Sequence, residues 1–116
     1  MQVEKNRAGE FLISEANGTR SRATVTILAG HDIKAGTLLG KITASGKHIP
    51  YLDGASDGSQ TAVAIQYRDV DTSATGLNAD SDQLVIESDA EVSLNMLYGH
   101  DAAGEADLNA VGIKVL

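Results

Sequence analysis

The stretch Ala23 to Ala44, ATVTILAGHDIKAGTLLGKITA, decides the fold. Thr24, Thr26 and Leu28 alternate with Val25, Ile27 and Ala29, and a β-branched run of period two fits a pleated, half-buried strand. Gly30 closes that run, and Lys34-Ala35-Gly36 is a turn, because glycine takes φ > 0 without steric cost. Thr37 to Thr43 is the return run. Gly40 interrupts it, which marks a bulge or bend more often than a strand end.

Working outward, more ribbon follows. His48 to Leu52 reads as a short strand, at an edge or bent, because Pro50 cannot donate to a ladder. Asp53 to Gln60 carries two Asp-Gly turn signals. Thr61 to Tyr67 reads as a buried strand, Arg68 to Asp82 as a long polar loop, and Gln83 to Glu87 as a strand. Glu91 to Tyr98 alternates, with Val92, Leu94, Met96 and Tyr98 on one side. Asp101 can N-cap a helix over Ala102 to Val111, with Gly112 as its stop and Ile113 to Leu116 as a last strand. These signals predict about seven short strands and one short helix: a mainly-β domain over residues 23–116, without βαβ repeats.

Upstream, residues 1–22 read as a flexible N-terminal arm. The segment is polar, with one apolar cluster, Phe11-Leu12-Ile13, and two arginines, Arg20 and Arg22, at its end. A purely solvated tail has no use for three adjacent large hydrophobes, so the pattern favours an arm that orders on a partner.

At 116 residues the chain fits one domain, and its 42% hydrophobic content allows a core. With no Trp and one Phe, that core must be built from Val, Ile, Leu and Ala. There is no cysteine, so disulfides and thiolate metal sites are excluded. No apolar run approaches the ~20 residues of a membrane span, and the N-terminus lacks a signal-peptide core. A soluble protein made in a cytoplasm is expected, with no membrane partner. The net charge of −7 keeps such a protein in solution and argues against a nucleic-acid partner.

Chemistry-bearing patterns are sparse. His31, His48 and His100 each sit beside a turn, without the spacing of a metal-ligating pair. Asp53 and Asp57 flank a glycine, but Ala55 and the absence of a closing Glu break the pattern of a calcium loop. There is no G-x-S-x-G for a nucleophile. Gly36 to Lys41 departs from a phosphate loop, since Ala35 stands where the first glycine belongs and Ile42 follows the lysine. No catalytic, metal or cofactor site is expected.

Asp32 to Leu39 resembles the turn of β-clip domains such as the sialic-acid-synthase antifreeze-like module. It also resembles the hairpin of biotinyl and lipoyl carriers, although Lys47, between Gly46 and His48, lacks a carrier lysine's flank. A third resemblance covers about two-thirds of the chain. Gly36 to Ile42, His48 to Leu52, Asp53-Gly54, Asp57-Gly58 and Ala62 to Ile65 come in an order similar to the head decoration proteins of lambda-like tailed phages. Gln83 to Glu87 and Glu91 to Leu97 follow in place. An aromatic before the first Asp-Gly would fit that family better than Leu52.

The resemblance implies a β-clip-like bent ribbon or incomplete barrel with one short helix near its C-terminus. It also implies a non-enzymatic virion protein without cofactors. Homotrimers would sit on the outside of the expanded capsid at three-fold and quasi-three-fold sites, cementing the major capsid protein against the pressure of packaged DNA. The arm, with Phe11, Leu12, Ile13, Arg20 and Arg22, would bind the capsid. The competing class is a small β-clip, binding or carrier domain.

Overall fold

The computed structural model describes residues 12–15, 22–88, 90–93, 96–99 and 101–116, with the backbone path alone for 13–15. The strands are β1 (Leu12–Glu15), β2 (Arg22–Ile27), β3 (Asp32–Ile33), β4 (Leu38–Lys41), β5 (His48–Pro50), β6 (Ala62–Gln66), β7 (Val70–Asp71), β8 (Ser81–Ile86), β9 (Ala90–Val92) and β10 (Ile113–Val115). One helix, α1 (Ala102–Ala110), precedes β10. The mainly-β class with one short C-terminal helix is as the sequence predicts.

The bent ribbon closes on itself. Strands β2, β5, β4, β6 and β8 form a five-stranded barrel. All neighbours run antiparallel except β2 and β5, which meet in parallel at a single register, Ile27 with His48. β1, β9 and β10 make a separate three-stranded sheet, and β3 pairs with β7.

Alternation along the barrel strands feeds two cores. Ile27, Leu39, Ala64 and Val85 fill one with Ile33 and Val70. Leu38, Ile65 and Ile86 turn the other way, onto Leu108 of α1 and Val92 and Ile113 of the small sheet. Both faces of β4, β6 and β8 are thus buried, which is why LL, AVAI and LVI read as continuous apolar runs. The register of β4 on β6 shifts between Leu39 and Gly40, which pair with Ala64 and Ala62. Val63 is the extra residue of that bulge, and it puts Ala62 and Ile65 on the same core despite their odd spacing.

Helix α1 forms as its caps predict. The Asp101 carboxylate accepts from the Gly104 amide at 2.7 Å, and Gly112, at φ 88°, turns the chain back into β10. The helix is tied to the barrel by its acids. Asp101 also accepts from the Tyr51 hydroxyl at 2.9 Å, and Asp107 accepts from the Ala62 amide at 3.0 Å. Burial and the Asp101 bond hold the Tyr51 phenol protonated well above the usual tyrosine range.

Two expectations need correction. The alternating strand over Glu91 to Tyr98 is broken: β9 ends at Val92, and the Met96 amide folds back onto the Ser93 carbonyl at 3.1 Å. Tyr98 instead pairs in parallel with Thr37, donating to Gly36 at 2.9 Å and accepting from Leu38 at 3.1 Å. Partners more than fifty residues away thus outweigh the local period. Leu94 and Asn95 lie outside the described residues. The polar stretch from Arg68 to Asp82 is also not one loop. It contains β7, and its Thr72 is fully buried, with a hydroxyl that bonds Leu28 and His31.

Candidate functional site: the edge sheet and the foot of the barrel

β9 is the centre of the three-stranded sheet. β10 lies parallel to it, pairing Ile113 with Ala90 and Val115 with Val92, and the Leu116 amide donates to the Val92 carbonyl at 2.9 Å. β1 lies antiparallel on the other side, with a register shift between Leu12 and Ser14. The segment read as an arm thus contains a strand with a partner of its own, one the sequence did not reveal. Its register is irregular, and β9 is its only strand neighbour among the described residues.

Leu12, half-buried, packs on the core shared by the helix and this sheet. Ile13 follows it in β1. Phe11 and Arg20 lie outside the described residues. Arg22 is the first residue of β2, opposite Ile86, so it belongs to the barrel wall. Its guanidinium carbon stands 4.8 Å from the centre of the Tyr67 ring, and that of Arg68 stands 5.8 Å from the same ring. Tyr67 packs against the core that receives Leu12. Tyr67 and Arg68 were missed from sequence, because only folding sets the end of β6 and the start of β2 on the two sides of β8.

The other polar residues hold loops together. Asp57 accepts from the Ser59 amide at 3.0 Å and from its hydroxyl at 2.5 Å, closing the turn that resembles a calcium loop. Asp71 does the same for Ser73. Lys47 is ion-paired with Asp80 at 2.5 Å rather than displayed as a carrier lysine would be. Leu38 and Leu39, in the phosphate-loop-like stretch, are buried in β4. His31 lies between the Thr72 contacts, and His100 is outside the described residues. No cluster of potential metal ligands occurs, and no helix is long and apolar enough to cross a membrane, among the described residues.

The single parallel contact that closes the barrel is sensitive to acid. His48 is buried there with Nδ1 unpartnered, and burial, then nearby Lys41, holds its pKa below the ordinary value. Asp80 bonds Lys47 and also accepts from the Ala29 amide at 2.8 Å, and these contacts lower its carboxyl pKa. Both shifts mean that the unfolded chain binds more protons, so stability is lost as the pH is lowered. The His48 contribution is complete above the ordinary histidine value of about 6.5 and is lost below it. The contributions of Asp57, Asp71 and Asp80 are lost only below the ordinary carboxylate value of about 4. Urea midpoints measured from pH 7.5 down to 3 should therefore fall in two stages, and His48→Gln should remove the upper one. A wild-type midpoint that is flat from pH 7.5 to 5 contradicts this account.

No curated protein matches the chain. The family model for bacteriophage lambda head decoration protein D matches residues 1–113. An N-terminal strand at the margin of a small sheet and a closed β body accord with that match, and the chain belongs to the lambda head decoration protein D family, the structural proteins that decorate the phage capsid.

Proposed function

We propose that the protein is a homotrimer that binds the major capsid protein on the outside of the expanded capsid. It occupies three-fold and quasi-three-fold positions there and cements the shell against packaged DNA. It is made in the host cytoplasm and joins the virion without cofactor, nucleic acid or membrane. The N-terminal segment, with Phe11, Leu12, Ile13 and Arg20, makes the capsid contact by adding a strand to the shell, with Arg22 at the start of the barrel beside it.

The observation that carries this reading is β1. It is four residues long, holds an irregular register on β9, and lies at the margin of its sheet. A strand so placed can give its remaining backbone groups to another chain. Burying Phe11 and Ile13 against the shell contributes roughly 1.5–3 kcal/mol each. Ordering costs about 1–2 kcal/mol per residue, so the backbone bonds of the added strand are required as well.

The test is a chain that begins at Arg22, since Arg22 is part of the barrel. It should keep its far-UV circular dichroism and trimer mass, yet bind undecorated expanded shells at least ~100-fold more weakly, the equivalent of two such side chains. Phe11→Ala with Ile13→Ala should reproduce much of the loss. Equal decoration by the shortened chain would refute the arm's role, and a monomer by light scattering would refute the trimer.

A further inference from the structure

We infer that the Asp53–Gly54 turn is a site of spontaneous isoaspartate formation in the folded protein, while the second Asp-Gly pair, Asp57–Gly58, is protected by its bonds; the inference does not rest on the capsid reading. The chemistry lies within the dipeptide. The Gly54 amide nitrogen attacks the Asp53 carboxyl carbon and gives up its proton as the carboxyl hydroxyl leaves, so a water is released and a cyclic imide forms. A water then opens the imide at either carbonyl. One opening returns aspartate. The other routes the main chain through the side-chain carbonyl and leaves the former main-chain carbonyl as a free carboxylate. No electrons are exchanged, and water is the only co-reactant. Glycine favours the step because it puts no side chain in the path of the attack.

Asp53 and Gly54 are the exposed centre of a turn closed by the Ala55 amide on the Leu52 carbonyl at 3.1 Å. Among the described residues, neither the Asp53 carboxylate nor the Gly54 amide has a hydrogen-bond partner. A Cβ built on Gly54 meets nothing within 4 Å, so the turn has room to rotate the nitrogen onto the carboxyl carbon. The reacting groups are adjacent and unengaged, and only the turn bond must give way for them to meet. Exposed turns with so little holding them open far more often than the body of a fold.

At Asp57–Gly58 both reacting groups are engaged. Asp57 Oδ1 accepts from the Ser59 amide at 3.0 Å and from its hydroxyl at 2.5 Å, and Ser59 is itself buried. The Gly58 amide, which would have to attack, donates to Gln60 Oε1 at 2.8 Å. The Asp57 carbonyl accepts from the Thr43 amide at 2.9 Å. A Cβ on Gly58 would lie 2.5 Å from the Lys41 carbonyl oxygen, so this peptide is pressed against the end of β4 and cannot turn. The Ser59 bonds also hold the Asp57 carboxyl pKa below the ordinary carboxylate value, and an ionised carboxyl has no hydroxyl to release. Ring closure there requires the surrounding structure to open first. The sequence presents two equal Asp-Gly pairs, and the fold separates them.

The experiment incubates the full-length protein at neutral pH and physiological temperature, folded and in urea, and digests samples with trypsin. Peptide 48–68 carries both pairs, and electron-transfer fragmentation locates isoaspartate within it. Isomerisation leaves the peptide mass unchanged, which separates it from deamidation. In the folded protein isoaspartate at 53 should exceed that at 57 by at least about tenfold, the factor expected of two ordinary hydrogen bonds. In urea the two positions should convert alike. Gly54→Ala, whose Cβ has open space, should suppress conversion at 53 several-fold without moving the thermal midpoint. Gln60→Ala, which releases the Gly58 amide, should raise conversion at 57. Equal isoaspartate at 53 and 57 in the folded wild type overturns the inference. So does folded protein that stays unmodified at 53 while the urea sample converts. Both comparisons use the wild type alone, so they decide the matter even if a variant fails to fold.

Discussion

Gly40→Ala is expected to destabilise the protein by about 3 kcal/mol or more, the upper range for forcing atoms into a packed interior. A Cβ on Gly40 would lie 2.5 Å from both the Cα and the carbonyl oxygen of Ser59. Those are backbone atoms, so no side chain can swing aside. Nor can the backbone retreat easily. Gly40 pairs with Ile49 on one side and Ala62 on the other, and the Ser59 carbonyl holds the Leu52 amide at 3.2 Å. Chemical denaturation should show the loss directly, with a thermal midpoint lower by roughly 10 °C. Gly54→Ala is the control, because a Cβ there meets nothing within 4 Å. It should stay within about 0.5 kcal/mol of wild type. Equal stability of the two variants would mean that Gly40 is needed only for the local bend, not for the close approach.

Ile65→Ala should cost about 3–4 kcal/mol, within the usual span for a buried isoleucine. Ile65 is fully buried, opposite Leu38 on one neighbouring strand and Ile86 on the other. Both neighbours are fixed by ladder bonds, and Leu108 of the helix belongs to the same core, so the cavity cannot collapse. Val63→Ala, two residues away, should cost no more than about 1 kcal/mol. Val63 is the bulged residue, only partly buried beside the other core. The comparison asks whether the bulge divides the strand between two cores. Similar losses at both positions would say that it does not. Loss of Ile65 should also loosen the helix, visible as faster amide exchange over Ala102–Ala110 than in Val63→Ala.

Local chemistry was enough to read the body's elements. The period of two in Val25, Ile27 and Ala29, the Asp101 cap, the Gly112 stop and the apolar tail Ile113 to Val115 each act within a few residues, and each was legible in the sequence. So was the bend at Gly40, although not that Ser59 is what leaves no room there. The order of the motifs Gly36 to Ile42, His48 to Leu52, Asp53-Gly54, Asp57-Gly58 and Ala62 to Ile65 also resembles the head decoration proteins, and the family match agrees.

What only the tertiary structure decided is pairing at long range. Arg22 ends opposite Ile86, Leu12 opposite Val92, and Ile27 beside His48. None of these is set by neighbours in the chain, because hydrogen bonds between strands are the same whatever the side chains. The choice among partners falls to the burial that each closure achieves. That is why Tyr98 left its alternating run for Thr37, why a polar threonine became core, and why two arginines forty-six positions apart share one tyrosine ring.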